Sequence, residues 1–162
     1  MSLAAAGIMR REACTALICI DSFDDYSMTG RLYHSSLPHE AYFRSFMELI
    51  ETMEHIFNSL DYPQSSMTLR SFEGTKPAER AEVAIPAIST SYTNKAKGDT
   101  ATFRLRVMFR QNATWQGTIR WIEAEKEENF RSVLELLHLM DSAIPNHMRD
   151  SEKTVDKLEK VM

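Results

Sequence analysis

Apolar and polar residues alternate between positions 103 and 109 of the chain. This period of two predicts a β-strand with one buried face. We expect a turn at residues 111–113, after which residues 114–122 return as a second strand. The expected core face of that returning strand holds Trp115, Gly117, Ile119 and Trp121. The two segments together predict a β-hairpin with an aromatic buried face.

An earlier pair of segments predicts a second hairpin. Residues 14–20 are almost all apolar, which is typical of a strand buried on both faces, and residues 28–35 are expected to return beside them. Gly30 and Gly117 fall inside strands, where glycine normally weakens pairing. We therefore expect a bulge or a close approach of the backbone to the helix at both glycines.

Each hairpin is followed by apolar residues at the spacing of an amphipathic helix. The first helix is expected to open at residues 36–40, with Pro38 and Glu40 near its start, and to run to about residue 60. After an acidic connection at residues 123–129, the second helix is expected to run from about residue 129 to 144. The first predicted buried stripe is Phe43, Phe46, Met47, Ile50, Met53, Phe57 and Leu60. The second is Phe130, Val133, Leu134, Leu137, Met140 and Ile144.

The two helical segments are similar in sequence. Residues 43–54 and 130–141 share six identities in twelve positions, at an offset of 87 residues. Gly30 and Gly117 are separated by the same offset, so the repeated unit includes the hairpin as well as the helix. Because neither unit has enough apolar surface to be stable alone, we expect them to join side by side. The predicted fold is α+β, with internally duplicated β-β-α units forming one antiparallel sheet and two helices packed on one face.

A single domain is expected over residues 1–162. The first repeat covers about 14–60 and the second about 101–144. The connection at 61–100 contains two weak strand candidates, residues 67–72 and 83–88, and is expected to add strands or to cover the sheet. The segment at 145–162 is charged and predicts a short surface or partner-facing helix.

Composition narrows the class of protein. A net charge of −4 argues against a generic binder of nucleic acid or membrane surfaces. No apolar run approaches the roughly 18–20 residues that cross a bilayer. Cys14 and Cys19 are five residues apart on a predicted strand, where their side chains point to opposite faces and cannot pair. A reducing, cytoplasmic setting follows as an expectation.

Arginines are concentrated in the second hairpin. Residues 103–122 contain Arg104, Arg106, Arg110 and Arg120 and no acidic residue. Arginine binds phosphate and carboxylate with two parallel hydrogen bonds, so these four residues are candidates for binding an anion or a partner. The alternative is a solvated strand face that pairs with acids elsewhere, such as those of residues 123–128.

Candidate catalytic and metal-binding patterns are weak. Glu135 and His138 have the Glu-x-x-His spacing of carboxylate-bridged metal sites, but they lie across the helix from its apolar stripe and predict a solvent-facing pair. The sequence has no nucleophile elbow, no phosphate-binding loop and no dinucleotide fingerprint. We therefore predict no metal site and no cofactor, and we favour a non-enzymatic role.

Two stretches of the second repeat carry a resemblance to other proteins. The segment at 101–144 resembles a group of uncharacterised bacterial proteins that share residues 110–117, Arg-Gln-Asn-Ala-Thr-Trp-Gln-Gly, followed by residues 130–137, Phe-Arg-Ser-Val-Leu-Glu-Leu-Leu. The resemblance implies a bacterial cytoplasmic setting and no particular activity. If the shared stretch is functional, the positions of interest are Gln111, Asn112, Gln116 and Arg131. A turn, a bulge and a helix start account for these residues equally well.

The sequence alone does not specify a function. The favoured hypothesis is a non-catalytic protein-interaction or adaptor module that self-associates. Because residues 16–20 are apolar on both sides, either the 61–100 connection or another chain should cover the outer face of the first hairpin, and a homodimer is predicted. The alternative is an accessory protein that binds nucleic acid through the four arginines.

Overall fold

The computed structural model describes residues 2–24, 27–74 and 96–144. Within these ranges the chain forms three helices and six strands. The helices are α1 (Leu3–Ala13), α2 (Phe46–Leu60) and α3 (Val133–Ala143). The strands are β1 (Thr15–Asp24), β2 (Ser27–His34), β3 (Ala41–Phe43), β4 (Ala101–Phe109), β5 (Gln116–Trp121) and β6 (Lys126–Phe130).

All six strands belong to one open antiparallel sheet with the order β3-β2-β1-β4-β5-β6. The first strand of each predicted repeat lies at the centre, where Ile18 of β1 pairs with Phe103 of β4. The predicted α+β class with an antiparallel sheet is confirmed. Both hairpins were expected, but each is extended by a further strand, β3 or β6, that the sequence patterns did not predict.

The two halves of the sheet have matching pairing registers. Gly30 pairs with Phe43 across β2 and β3, and Gly117 pairs with Phe130 across β5 and β6. A Cβ atom on Gly30 would lie 1.9 Å from the carbonyl oxygen of Cys19, and one on Gly117 would lie 1.9 Å from that of Arg106. Glycine is therefore required at both positions because the neighbouring strand's backbone approaches too closely for any side chain.

A β-bulge also occurs at the corresponding point of each central strand. The bulges lie between Ile20 and Ser22 in β1 and between Val107 and Phe109 in β4. A bulge adds one residue to its strand and so reverses which face the following side chains occupy. This reversal decides the position of Arg110, described below.

The core lies on one face of the sheet. Alternate side chains of a strand point to opposite faces, and in β1 and β4 the core includes Ile18, Phe103 and Leu105. Buried side chains of α2 and α3, among them Met53 and Met140, belong to the same cluster. Burying each large apolar side chain of this kind contributes roughly 1.5–3 kcal/mol relative to leaving it exposed.

The predicted starts of the two main helices are wrong. Neither Pro38 nor Glu40 lies in a first turn, because α2 begins at Phe46 and α3 at Val133. The N-cap residues are Ser45 and Ser132, whose side chains accept hydrogen bonds from the backbone N–H groups three residues later. Ser-x-x-Glu is a capping sequence, and it fixes both helix starts after the short strands β3 and β6.

The buried stripes agree with the predicted ones only in part. Met53 and Met140 are buried as expected. Met47 is 66% exposed and Leu134 is 65% exposed, although both were expected in the core. Leu49 and Leu136 are buried instead. Phe43 and Phe130, the first residues of the predicted stripes, are buried but belong to β3 and β6 and not to the helices.

Outside the two repeats, the structure differs from the sequence predictions at the N-terminal helix and in the connection between the repeats. Helix α1 was not predicted, and none of its side chains is buried. Residues 67–72, a strand candidate, form no strand, and Met67, Leu69 and Phe72 are exposed. The candidate strand at 83–88 and the predicted helix at 145–162 lie outside the described residues.

Candidate functional site

The face of the sheet opposite the core positions carries three of the four candidate arginines. Arg104 and Arg106 alternate along β4 with core residues, so their side chains point to the other face. Arg120 of β5 is the direct cross-strand neighbour of Arg104. We call Arg104, Arg106 and Arg120 the arginine face.

The geometry of the arginine face concentrates positive charge. Directly opposed residues in neighbouring strands have Cβ atoms about 5 Å apart, which brings Arg104 close to Arg120. Arg106 lies two residues along β4, at a distance of about 7 Å. Like charges that face each other across a sheet are destabilising by up to about 1 kcal/mol, so a countercharge beside this pair would stabilise the sheet.

Acidic residues of the described chain neutralise only one of these arginines. Arg120 Nη1 lies 3.9 Å from Glu127 Oε2 of β6, a loose pair in which both side chains remain substantially exposed. Glu123 accepts a hydrogen bond from the backbone N–H of Thr102 instead. Neither Arg104 nor Arg106 forms an ion pair with a described residue. Neutralisation by residues 123–128, the alternative raised by the sequence, is thus incomplete.

Arg106 has a further unsatisfied group. Its Nε atom is buried and has no hydrogen-bond partner within the described part of the chain. A buried donor without an acceptor costs roughly 1–3 kcal/mol. Because this atom is closed to solvent, a carboxylate from a partner could reach it only if the Arg106 side chain moved.

On the side of the first hairpin, the arginine face is bounded by an arginine that is already paired. Arg31 of β2 donates to Asp21 from Nε at 2.8 Å and from Nη2 at 2.9 Å. These hydrogen bonds hold the pKa of Asp21 below its ordinary value. The positive charge of Arg31 is therefore balanced locally, which limits the unpaired charge to β4 and β5.

The apolar outer positions of β1 are already buried in the single chain. Leu17 is the cross-strand neighbour of Arg104, and Cys19 is that of Thr102. Both side chains are buried. Burial raises the pKa of the Cys19 thiol to about 11, so the thiol stays protonated and unreactive at neutral pH. A second chain is not needed to cover these two residues. Their apolar character therefore gives no support to a homodimer.

Arg110 lies apart from the arginine face, contrary to the sequence expectation. It is only 3% exposed. Its guanidinium donates to the Pro63 carbonyl at 2.6 Å, to Asn58 Oδ1 at 2.8 Å and to Glu54 Oε2 at 3.1 Å. The bulge in β4 turns Arg110 toward α2, where it forms a buried ion pair and is not available to bind a partner.

The neighbours of Arg110 complete a polar cluster between α2 and the second hairpin. The indole N–H of Trp115 donates to the second carboxylate oxygen of Glu54. The Phe57 ring lies 5.6 Å from the Arg110 guanidinium and packs edge-on against Trp115. Burial is the main cause that lowers the pKa of Arg110, and the Glu54 charge opposes this effect. Sequence patterns gave no signal for this cluster because Glu54 of α2 lies more than 50 residues from both Arg110 and Trp115.

The four candidate residues of the shared stretch lie at the β4–β5 turn and before α3. They are Gln111, Asn112, Gln116 and Arg131. The Gln116 side chain accepts from Gln111 N and donates to Gln111 O, both at 3.0 Å, which closes the β4–β5 turn. Asn112 adopts a left-handed conformation in that turn, with φ of 55°. Gln116 also donates to the Arg131 carbonyl at 3.3 Å, and the Arg131 side chain pairs with Glu135 at 2.8 Å. These residues connect the turn to the start of α3 rather than forming a pocket.

Residues 2–24, 27–74 and 96–144 contain no group of three or more His, Cys, Asp or Glu side chains placed to hold a metal ion. None of the helices in the same ranges is long and apolar enough to cross a membrane. Comparison with protein-family models, with curated proteins and with solved structures gives no match.

Proposed function

We propose that this chain is a non-catalytic protein-interaction module that self-associates and binds an acidic protein surface through its arginine face. The observation that carries the proposal is the cross-strand pair of Arg104 with Arg120, beside Arg106, with a single loose carboxylate contact among the three. An anionic partner would relieve the repulsion among these arginines by supplying the countercharge that the described chain gives only to Arg120.

The two edge strands of the sheet are poorly suited to pairing with a strand of another protein. The edge strand β3 has only three residues, and β6 exposes Lys126, Glu127 and Glu128 in succession. Short and charged edge strands are devices that prevent pairing with another chain. A partner of this module would therefore bind the sheet face.

The extent of the positive charge favours a protein partner over nucleic acid. The arginine face spans β4 and β5 and is bounded by the Arg31–Asp21 pair on one side and by Glu127 on the other. A nucleic-acid backbone presents a phosphate at every nucleotide and is usually bound along a continuous basic stripe. Nucleic-acid binding remains the second candidate because Arg104 and Arg106 are free of carboxylates in the described chain.

We further infer that the domain arose by duplication of a β-β-α unit and that both α2 and α3 cover the core face. The matching glycine registers, bulges and serine caps at the offset of 87 residues support this history. The resemblance of residues 101–144 to uncharacterised bacterial proteins, together with two free buried cysteines, supports a bacterial cytoplasmic setting.

The proposed function is tested by NMR titration with hexaglutamate, a probe of carboxylate binding, and in parallel with single- and double-stranded DNA and RNA. We expect hexaglutamate to shift the backbone signals of β4 and β5, with a response that weakens as salt is added. The double variant Arg104→Gln/Arg106→Gln should lose the response. Arg44→Gln, which removes an exposed arginine at the start of α2, should keep it.

Two outcomes would contradict this function. The first is a parent protein whose signals do not respond to hexaglutamate. The second is a response that the double variant retains. A response to nucleic acid alone, lost in the double variant, would favour the second candidate.

A further inference from the structure

The arginine face and the acidic hairpin beside it form a surface of opposite charges. Glu125 lies in the β5–β6 turn and Glu127 lies on β6, and both are exposed. We call these two residues the acidic rim. Neighbouring strands are about 4.8 Å apart, so β6 lies about 10 Å from β4 in the same sheet.

Within one chain, the acidic rim neutralises only Arg120 of the arginine face. Glu127 is paired in register with Arg120 and reaches it only at 3.9 Å. Arg104 and Arg106 are one strand further away on β4. Each molecule therefore carries both an unsatisfied cationic patch and an exposed anionic patch, displaced from each other by two strands.

A twofold arrangement of two copies would bring these patches together. In an isologous dimer, the same surface contacts its own symmetry mate, so each contact occurs twice. If two sheets stack by these faces, the acidic rim of each molecule can lie over Arg104 and Arg106 of the other. Both charged patches would be neutralised by one symmetry operation, without any other protein.

We propose that the partner bound by the arginine face is a second copy of this chain, which contributes its acidic rim. This inference rests on the proposed function and names the occupant of the same surface. The contact is dominated by charge, so the dimer should be weak and should dissociate as salt is added. Association through edge strands or the buried outer residues of β1 is not required.

The test uses two variants of the full chain, one with reversed charges on the arginine face and one with reversed charges on the acidic rim. The face variant is Arg104→Glu/Arg106→Glu, and the rim variant is Glu125→Lys/Glu127→Lys. Sedimentation equilibrium at low ionic strength should show the parent as a dimer and each variant alone as a monomer. Reversal should weaken self-association by roughly a hundredfold or more because like charges then face each other at both contacts.

An equimolar mixture of the two variants gives the decisive result. In the mixed dimer, the reversed face meets the reversed rim at one contact, and the native face meets the native rim at the other. We expect dimers to reappear in the mixture, with one copy of each variant. Such rescue is possible only if both variants are folded, so misfolding cannot produce it. Arg44→Glu and Glu51→Lys, which reverse exposed charges elsewhere, should leave the parent dimer unchanged.

The results that overturn this inference are distinct from those that overturn the proposed function. A parent protein that stays monomeric at low salt, or variants that stay monomeric when mixed, would show that the occupant is not a second copy. If hexaglutamate still shifts β4 and β5 in that case, the arginine face binds a different acidic protein. The inference and the proposed self-association then fail, whereas the proposed binding of an acidic surface stands. If hexaglutamate gives no shift either, the proposed function fails as well.

Discussion

The buried ion pair between Arg110 and Glu54 gives the sharpest prediction about stability. The Arg110 side chain is 4% exposed, whereas that of Glu54 is 25% exposed. Removing one partner leaves the other without its countercharge, and the cost depends on how deeply the remaining charge is buried. The two single substitutions should therefore have unequal effects.

The expected magnitudes follow from the contacts that each substitution leaves unsatisfied. Arg110→Met leaves a carboxylate that still reaches solvent and still accepts from Trp115, so we expect a loss of about 3 kcal/mol. Glu54→Leu leaves a buried guanidinium and an unpaired indole N–H, and we expect a loss of about 4–5 kcal/mol. The double variant should be no less stable than Glu54→Leu alone, which corresponds to a coupling energy of about 3 kcal/mol.

Urea unfolding, monitored by circular dichroism, measures the free energy of unfolding of the parent, the two single variants and the double variant. In a domain of this size, a loss of 3 kcal/mol lowers the midpoint of thermal unfolding by about 6–12 °C, so thermal scans provide an independent check. Arg131→Met is the control, because it removes an exposed arginine from a helical ion pair and should give no comparable loss. Additive single effects, or a larger loss for Arg110→Met than for Glu54→Leu, would refute the reasoning.

Three further predictions concern single residues. Gly117→Ala should destabilise by about 3 kcal/mol or more in urea unfolding, since its Cβ would meet the backbone of β4; Gly7→Ala, with nothing within 4 Å of its Cβ, should not. Ser132→Ala removes the α3 cap and should cost about 1 kcal/mol by the same assay. Burial lowers the pKa of His34, and its Nδ1 accepts from Ser36 N, so the folded ring is neutral. The unfolded chain then binds the extra proton, and stability should fall as the pH drops below about 6.5. His34→Gln should flatten that pH dependence, and an unchanged dependence would show that other groups cause it.

Local patterns were sufficient for the elements that have a simple period. The alternation around Leu105 correctly predicted β4 and its return strand. The glycines at 30 and 117 do mark a close backbone approach, but to the neighbouring strand and not to the helix. The helix starts were also encoded locally, in the sequences that begin at Ser45 and Ser132, but the apolar residues before those serines obscured them. The sequence could therefore have placed both starts from capping chemistry alone.

The sequence by itself thus determined the two hairpins, the presence of the two main helices and the antiparallel type of the sheet, because hydrophobic periods act over a few residues. The short strands β3 and β6 and the helix α1 carry no such period, and the patterns did not predict them. Only the tertiary structure decided which arginines could bind a partner. Arg104 and Arg110 are six residues apart in one arginine-rich segment, yet a bulge of one residue places the first beside Arg120 and turns the second into a buried pair with Glu54. The physical reason is that a charged side chain is free or satisfied according to its neighbours in space, and those neighbours come from strands and helices distant in the chain.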